Sequence, residues 1–234
     1  MSPEPAPRRV FTLRPSDFNF LWEECRRCYW LLVAKDWRRP RTPFPRVFGV
    51  LADLEAASFD GQRTEDMLPG VLAPGTFRHG EQDVLSAAIA LPGTDSAVEL
   101  KGRLDMMIAF DDGGWGVIDF KTSLPHEVSP ARYGRQLHAY AWCLERPAEH
   151  AFSKGPIGTL GLLALEPREM RRGRQSAEIY GRFHPEWVPV QRDDAAFEAF
   201  LTEVVSVLSA EEPPPAGPRC GHCDYRARTR TIPW

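Results

Sequence analysis

The sequence lacks several features that would each define a large class of proteins. It has no apolar run long enough to cross a membrane, no internal repeat, and no N-terminal stretch with the apolar centre of a signal peptide. It also has no excess of basic charge, since 29 Lys and Arg residues stand against 32 Asp and Glu residues. We therefore expect a soluble, cytoplasmic protein without a membrane partner, in which any nucleic-acid site is a local patch.

The composition of the 234 residues is that of a globular protein, because 43% of them are hydrophobic and can fill a sizeable core. We predict a single domain over residues 1–234. Within it, residues 1–10 are expected to be disordered, and residues 211–219 form a Pro-rich linker to the C-terminal cysteines.

The most informative stretch, residues 104–121, predicts a β-hairpin. Its two arms are apolar apart from Asp105, Asp119 and Lys121, and an Asp-Asp-Gly-Gly sequence at 111–114 marks the turn. Burying an unpaired charge is unfavourable, so a fold keeps such side chains where they pair or hold a metal. A surface hairpin with ordinary solvated charges is the alternative, since exposed charges are the default.

The register of this hairpin decides whether the three charges meet. Asp119 and Lys121 are two residues apart and therefore share one face of a strand. Asp105 shares that face only if the loop holds an odd number of residues or if a bulge corrects the register. The functional interpretation therefore predicts an odd loop or a bulge, whereas a plain two-residue turn would count against it.

Two carboxylates and an ammonium group on one face suit the hydrolysis of a phosphodiester. Carboxylate oxygens are hard ligands for Mg²⁺ or Mn²⁺, and such an ion polarises a phosphate and lowers the pKa of a bound water. A lysine can orient that water or stabilise charge that develops on the phosphate. Asp105 and Asp119 are therefore candidate metal ligands and catalytic residues, together with Lys121.

A helix is predicted after the hairpin, because Ser129 and Pro130 form a favourable helix start. Gln136 and Tyr140 lie one turn apart on this helix and so share a stripe, while His138 is expected at the surface. Taken alone, a Gln-x-x-x-Tyr pair is a weak indication of function, and a pair at the edge of the core explains it equally well.

Four of the five cysteines form two Cys-x-x-Cys pairs, Cys25 with Cys28 and Cys220 with Cys223. In a cytosolic protein this pattern favours a four-thiolate metal site over disulfides. A shared metal would tie the two ends of the chain together. Zn²⁺ and an iron–sulfur cluster both suit four thiolates, and free thiols are the remaining alternative.

Three short motifs follow one another in the chain: Gly-x-x-Asp, then Asp-Phe-Lys, then Gln-x-x-x-Tyr on the next helix. Their residues are Gly102, Asp105, Asp119, Phe120, Lys121, Gln136 and Tyr140. Together they resemble the core motif of the PD-(D/E)XK nuclease superfamily, in its RecB-like and Cas4-like branch. The resemblance spans most of the chain and implies a restriction-endonuclease-like α/β fold, in which helices flank a mixed central sheet and a four-cysteine metal site joins the ends.

The resemblance also implies roles for residues beyond the two aspartates. The carbonyl of Phe120 would be a further metal ligand, and Gln136 and Tyr140 would lie beside the metal and help position DNA. RecB-like nucleases usually carry a histidine ligand a few residues after a glycine on an earlier helix. Here Gly49 is present without a following histidine, and Asp53 stands in about that place as a candidate ligand.

The cysteines depart from the RecB-like pattern as well. Several members hold a [4Fe-4S] cluster with one N-terminal and three C-terminal cysteines, whereas this chain has two at each end. Both a [4Fe-4S] cluster and Zn²⁺ therefore stay open.

A basic segment, Arg168–Arg174, is expected to be a loop that either contacts a DNA backbone or is an ordinary solvated hairpin tip.

The sequence thus predicts an Mg²⁺- or Mn²⁺-dependent deoxyribonuclease that serves DNA repair, recombination or defence. DNA is the expected substrate, and a helicase or another repair or defence protein is a candidate partner. The absent histidine keeps one alternative open, a non-catalytic or partner-dependent DNA-binding subunit that retains the nuclease fold.

Overall fold

The structure, a computed structural model, describes most of the chain: residues 9–40, 43, 45–123, 128–174 and 177–230. The side chains of His79 and Glu81 are not described. Of the residues predicted to be disordered, 1–8 lie outside the described ones. Arg9 and Val10 belong to the first strand, so that prediction was wrong for these two.

A mixed sheet forms the centre of the fold. Its strands among the described residues are β1 (Arg9–Leu13), β2 (Gly75–Leu85), β3 (Ile89–Ala90), β4 (Ser96–Phe110), β5 (Trp115–Lys121), β6 (Ile157–Arg172) and β7 (Ile179–Val190). The order is β1-β4-β5-β6-β7, with β2 and β3 also paired to the long β4. The β1–β4 and β5–β6 pairs are parallel and the others are antiparallel, which confirms the predicted mixed sheet.

Helices lie on both faces of this sheet. They are α1 (Pro15–Asp17), which continues into a π-helical turn at Phe18–Trp22, α2 (Arg26–Lys35), α3 (Arg46–Phe59), α4 (Thr64–Met67), α5 (Pro130–Glu145), α6 (Asp194–Leu208) and α7 (Gly221–Thr229). The π-helical turn and the helices α2, α5 and α6 share the larger hydrophobic core with one face of the sheet, and α3 and α4 contribute to a smaller core on the other face. No helix in the described stretches is long and apolar enough to cross a membrane.

Strand alternation assigns each side chain of the hairpin to one of these cores. Met107 and Val117 belong to the larger core, whereas their neighbours Met106 and Ile118 belong to the smaller one. By the same alternation, Asp119 is on the face of Val117, toward α5. The strands thus turn the predicted site toward α5.

Helix α5 begins as its sequence predicts. The hydroxyl of Ser129 accepts a hydrogen bond from the backbone N–H of Arg132, and Pro130 occupies the first turn. The expectation that His138 is exposed was wrong. Its Nδ1 donates to the carbonyl of Gly134 at 2.7 Å, and its Nε2 accepts from the backbone N–H of Asp193 at 2.8 Å.

The basic segment Arg168–Arg174 is mostly strand, not loop. Strand β6 continues to Arg172 and pairs with β7 along its whole outer part. Beyond Pro167 the side chains on both faces of this two-stranded ribbon are exposed. By contrast, the Pro-rich residues 211–219 contain neither helix nor strand, in accordance with their composition.

The packing of α6 yields a test of the larger core. Leu201 is fully buried there, so Leu201→Ala should lower the free energy of unfolding by about 2–5 kcal/mol in urea denaturation. Thr202→Ala is the matched control, because this hydroxyl bonds only within its own helix, to the carbonyl of Glu198. Equal losses in both variants would contradict the placement of Leu201 in the core.

Candidate active site

The loop between β4 and β5 has the odd length that the shared face requires. The backbone N–H of Phe110 donates to the carbonyl of Gly114 at 2.9 Å, which leaves residues 111–113 as a three-residue loop. The strands then pair in register from Ala109 opposite Trp115 to Met106 opposite Ile118. One further step sets Asp105 opposite Asp119, so the two carboxylates share a face.

A bulge in β2 lies next to Asp105 on the other side of β4. The register shifts between His79 and Gln82, so one extra residue of β2 stands opposite this part of β4. A Cβ on Gly80 would lie 2.8 Å from the carbonyl oxygens of Leu104 and Asp105, and therefore only glycine fits. Bulges of this kind redirect side chains at the ends of regular pairing.

Asp119 is buried at the centre of a polar network. Its Oδ1 accepts a hydrogen bond from Nε2 of Gln136 at 2.9 Å, and its Oδ2 forms an ion pair with Lys121. The same Nε2 lies 3.2 Å from the hydroxyl of Tyr140, and the side-chain amide of Asn19 donates to Oε1 of Gln136. The structure thus brings Gln136 and Tyr140 of α5 to the hairpin carboxylates. Asn19 was not expected, because no sequence motif marks it.

Asp105 is held in an environment that disfavours its negative charge. Burial, together with the neighbouring charge of Asp119, raises the pKa of the Asp105 carboxyl to about 7. The backbone N–H of Phe120 donates to its Oδ2 at 3.3 Å. Because N–H and C=O of one strand residue point to the same side, the Phe120 carbonyl faces the same gap. Two adjacent carboxylates, of which Asp105 has a raised pKa, are a donor set that a divalent cation would satisfy.

The glycine of the Gly-x-x-Asp motif has a packing role. A Cβ on Gly102 would lie 2.9 Å from Cε1 of Tyr140 and 3.2 Å from Cδ of Pro15. Any side chain at this position would therefore displace the Tyr140 ring from the network around Asp119. The motif combines a candidate metal ligand, Asp105, with the space that α5 needs to approach it.

The structure does not bring Asp53 to this site. Asp53 is exposed on α3, and the carboxylate that α3 buries is Glu55, which lies about 200° further around the helix. Burial raises the pKa of Glu55 to about 7, against a hydrogen bond from Thr122 that lowers it. Glu55 belongs to the face of the smaller core, and among the described residues it does not group with Asp105 and Asp119 as a metal cluster. The sequence offered Asp53 as the ligand on α3, whereas the structure leaves this side chain on the exposed side of the helix.

The four paired cysteines converge although they are distant in the chain. The sulfur atoms of Cys25 and Cys223 are 3.8 Å apart, those of Cys28 and Cys220 are 3.9 Å apart, and those of Cys28 and Cys223 are 3.5 Å apart. All four lie within 4.8 Å of one another, the one group of this kind among the residues described. The predicted joining of the two chain ends is therefore present, and the donor set can hold a metal.

Donors surround these sulfurs as they would surround thiolates. The guanidinium of Arg39 donates to Sγ of Cys220 at 3.0 Å and is itself paired with Glu24 at 2.8 Å. The backbone N–H of Gly217 donates to Sγ of Cys25 at 3.2 Å, and a Cβ at Gly217 would collide with the backbone of Glu24. The Pro-rich segment thus packs directly against the N-terminal cysteines.

Paired carboxylates and a lysine on neighbouring strands of a mixed sheet are typical of metal-dependent nucleases. The model of the PD-(D/E)XK nuclease superfamily matches residues 18–228, and the chain belongs to this superfamily. Its members are usually nucleases that use divalent metals. No curated protein matches the chain. A solved structure described as "Crystal structure of SSO0001" covers 95% of this chain and 85% of its own, at 17% sequence identity and a TM-score of 0.46.

The raised pKa of Asp105 predicts that this carboxylate destabilises the metal-free protein. Folding raises its pKa from 3.8 to about 7, so stability is lost as the pH rises through this interval. Asp105→Asn should therefore increase the free energy of unfolding by on the order of 4 kcal/mol at pH 8 and leave it nearly unchanged near pH 4.

The measurement is urea denaturation without added Mg²⁺ or Mn²⁺. Asp53→Asn, which removes an exposed carboxylate, is the matched control and should have no effect at either pH. A loss of stability in Asp105→Asn at pH 8 would contradict the charge assignment.

Proposed function

We propose that the chain is an Mg²⁺- or Mn²⁺-dependent deoxyribonuclease of RecB-like type. The observation that carries the proposal is the pair Asp105 and Asp119 on one face of the hairpin, with Lys121 bound to the second aspartate. The contact between Gln136 and Asp119 supports the RecB-like type, since that branch places these helix residues beside its metal. The convergence of the cysteines from both chain ends supports it as well.

Each residue of the candidate active site has its own role in the proposed reaction. Asp105 and Asp119 would hold the metal, together with the Phe120 carbonyl. Bound there, Mg²⁺ or Mn²⁺ polarises the phosphate and lowers the pKa of a water molecule. Gln136 fixes the orientation of the Asp119 carboxylate through its hydrogen bond. Lys121 orients the attacking water or stabilises the charge that develops on the phosphate.

The alternative is a non-catalytic or partner-dependent DNA-binding subunit. Two features of α3 favour this alternative. The helix lacks a histidine, and Asp53 is exposed and therefore does not take the place of that histidine. A role in DNA repair, recombination or defence, with a helicase or a similar partner, rests on the RecB-like resemblance.

The proposal predicts metal-dependent cleavage that depends on the hairpin. End-labelled single- and double-stranded DNA should be cut with Mg²⁺ or Mn²⁺ and left intact without added metal. Asp119→Asn and Lys121→Met should each lower the rate at least about 100-fold, because each removes a group from the reacting centre.

Asp53→Asn is the control for cleavage and should cut DNA like the wild type, since its carboxylate points away from the core. Circular dichroism and urea denaturation verify that the hairpin variants are folded. If the folded wild type and all variants are equally inert but still bind DNA, the non-catalytic alternative replaces the nuclease proposal.

We infer further that the four cysteines hold a single Zn²⁺. A tetrahedral Zn²⁺ with sulfurs at about 2.3 Å has about 3.8 Å between neighbouring sulfurs, which agrees with the 3.5–3.9 Å between three of the sulfur pairs. In a [4Fe-4S] cluster each cysteine binds a different iron of the cube, so the sulfurs stand further apart. The spacing therefore supports one ion over a cluster.

Metal analysis of anaerobically purified protein tests this assignment. We expect one Zn²⁺ per chain and no visible absorption, and Cys223→Ser should lose the metal. Cys143→Ser is the matched control, since this buried thiol bonds the carbonyl of Leu100 and lies outside the cluster. Iron with an absorption band that reduction bleaches would contradict Zn²⁺ and restore the [4Fe-4S] cluster.

A further inference from the structure

An aromatic ring is exposed beside the candidate active site. Phe20 lies in the π-helical turn that follows α1, where its neighbours Phe18, Asn19 and Trp22 are buried. Phe20 itself is 53% exposed. Turns of this kind occur frequently at functional sites, and this one presents a large ring to solvent directly after the buried Asn19.

Contacts between aromatic rings and cations connect the ring of Phe20 to Lys121. Its centroid is 6.1 Å from that of Tyr133, with the two planes at 68°. The guanidinium of Arg132 lies 5.3 Å from the Phe20 centroid and 5.9 Å from that of Tyr133. On the other side, Nζ of Lys121 is 4.5 Å from the Tyr133 centroid. Two rings and two cations therefore form one surface that ends at the candidate catalytic lysine.

This surface is held in a fixed position relative to the carboxylates. Nε of Arg132 donates to the backbone carbonyl of Asn19 at 2.8 Å. The side chain of Asn19 in turn donates to Gln136, which bonds Asp119. The residue next to Phe20 is thus joined to the metal-binding carboxylate through two hydrogen bonds, so the ring has a defined place near the reacting centre.

A groove leads along the same region. Its volume is about 600 Å³, and its lining includes Arg132, Arg135 and Arg219, together with Glu23 and Glu24. Arg135 is ion-paired with Glu23 in this groove, so the guanidinium groups of Arg132 and Arg219 are the ones that suit the phosphates of a nucleic-acid backbone. Arg132 belongs to both the groove and the aromatic surface, so a strand in the groove would pass the Phe20 ring.

We propose that Phe20, with Tyr133 and Arg132, is a stacking platform for one unpaired nucleobase of the DNA strand that enters the active site. Aromatic rings bind bases of any sequence by stacking, and a neighbouring arginine adds to the attraction. A base within a duplex already has both faces stacked, so the platform selects a strand that is single-stranded at this position. The proposal rests on the proposed function, because it places the strand at the nuclease site.

Binding of fluorescein-labelled oligodeoxythymidylate tests the platform without any cleavage step. With Ca²⁺ in place of Mg²⁺, Phe20→Ala should raise Kd about 5- to 100-fold, because stacking on one base contributes about 1–3 kcal/mol. Phe20→Trp should retain the wild-type affinity. Tyr180→Ala, which removes an equally exposed aromatic ring from the β6–β7 ribbon, is the matched control and should leave Kd unchanged.

Abasic oligonucleotides distinguish the loss of base stacking from a general change in the shape of the protein surface. For the wild type, moving a single abasic site along the strand should identify one position that weakens binding by the same factor as Phe20→Ala. In Phe20→Ala the abasic site at that position should have no further effect. Equal weakening by Phe20→Ala for intact and abasic strands, or no weakening, would overturn the platform.

The outcomes separate this proposal from the proposed function. If the wild type cleaves DNA but its affinity for DNA does not depend on Phe20, the stacking platform is contradicted and the nuclease proposal stands. If Phe20 contributes to binding in a base-dependent way but the protein does not cleave DNA, the nuclease proposal is contradicted and the stacking platform stands.

Discussion

The pairing register of β4 and β5 is the constraint on which the rest of the site depends. A loop of three residues sets Asp105 opposite Asp119, and a loop of two or four would turn one carboxylate to the opposite face of the sheet. Gln136 of α5 contacts Asp119 on this same face. The bulge in β2 lies beside the same pair, so the ladder of β4 is irregular toward β2 and regular toward β5.

Asp119 is buried and Asp105 is partly buried, and their negative charges are compensated to different degrees. Asp119 is compensated by Lys121 and Gln136, whereas Asp105 accepts a hydrogen bond from the backbone N–H of Phe120 and keeps a raised pKa although the charge of Lys121 lowers it. The uneven compensation leaves room for a cation at Asp105, which a fully neutralised pair would not do. The polar chain from Asp119 through Gln136 reaches Asn19, and this places the π-helical turn against the site.

The sequence contained enough to predict the hairpin, the capped start of α5 and the meeting of the cysteines, because each depends on local chemistry or on spacing. The odd length of the loop followed only from the functional interpretation, which required an odd loop or a bulge. It did not contain the orientation of α3, where Glu55 is buried in place of Asp53, because an apolar stripe can be drawn on more than one side of that helix. It likewise missed the burial of His138, whose partner Asp193 is distant in the chain. The ribbon at Arg168–Arg172 resembled a loop because no core contact gives its strands an alternating pattern.

The cysteine cluster and the active site are coupled through the short segment between them. Cys25 begins α2 a few residues after Asn19 and Phe20, and the cluster holds it against Cys223 and the Gly217 backbone. The segment is therefore fixed at one end by the sulfurs and at the other by the bond from Asn19 to Gln136. A metal at the cysteines would thus reduce the freedom of the turn that carries Phe20, although it lies outside the reacting centre. A metal bound by the four cysteines would therefore join the chain ends and also keep the aromatic surface in place beside the carboxylates.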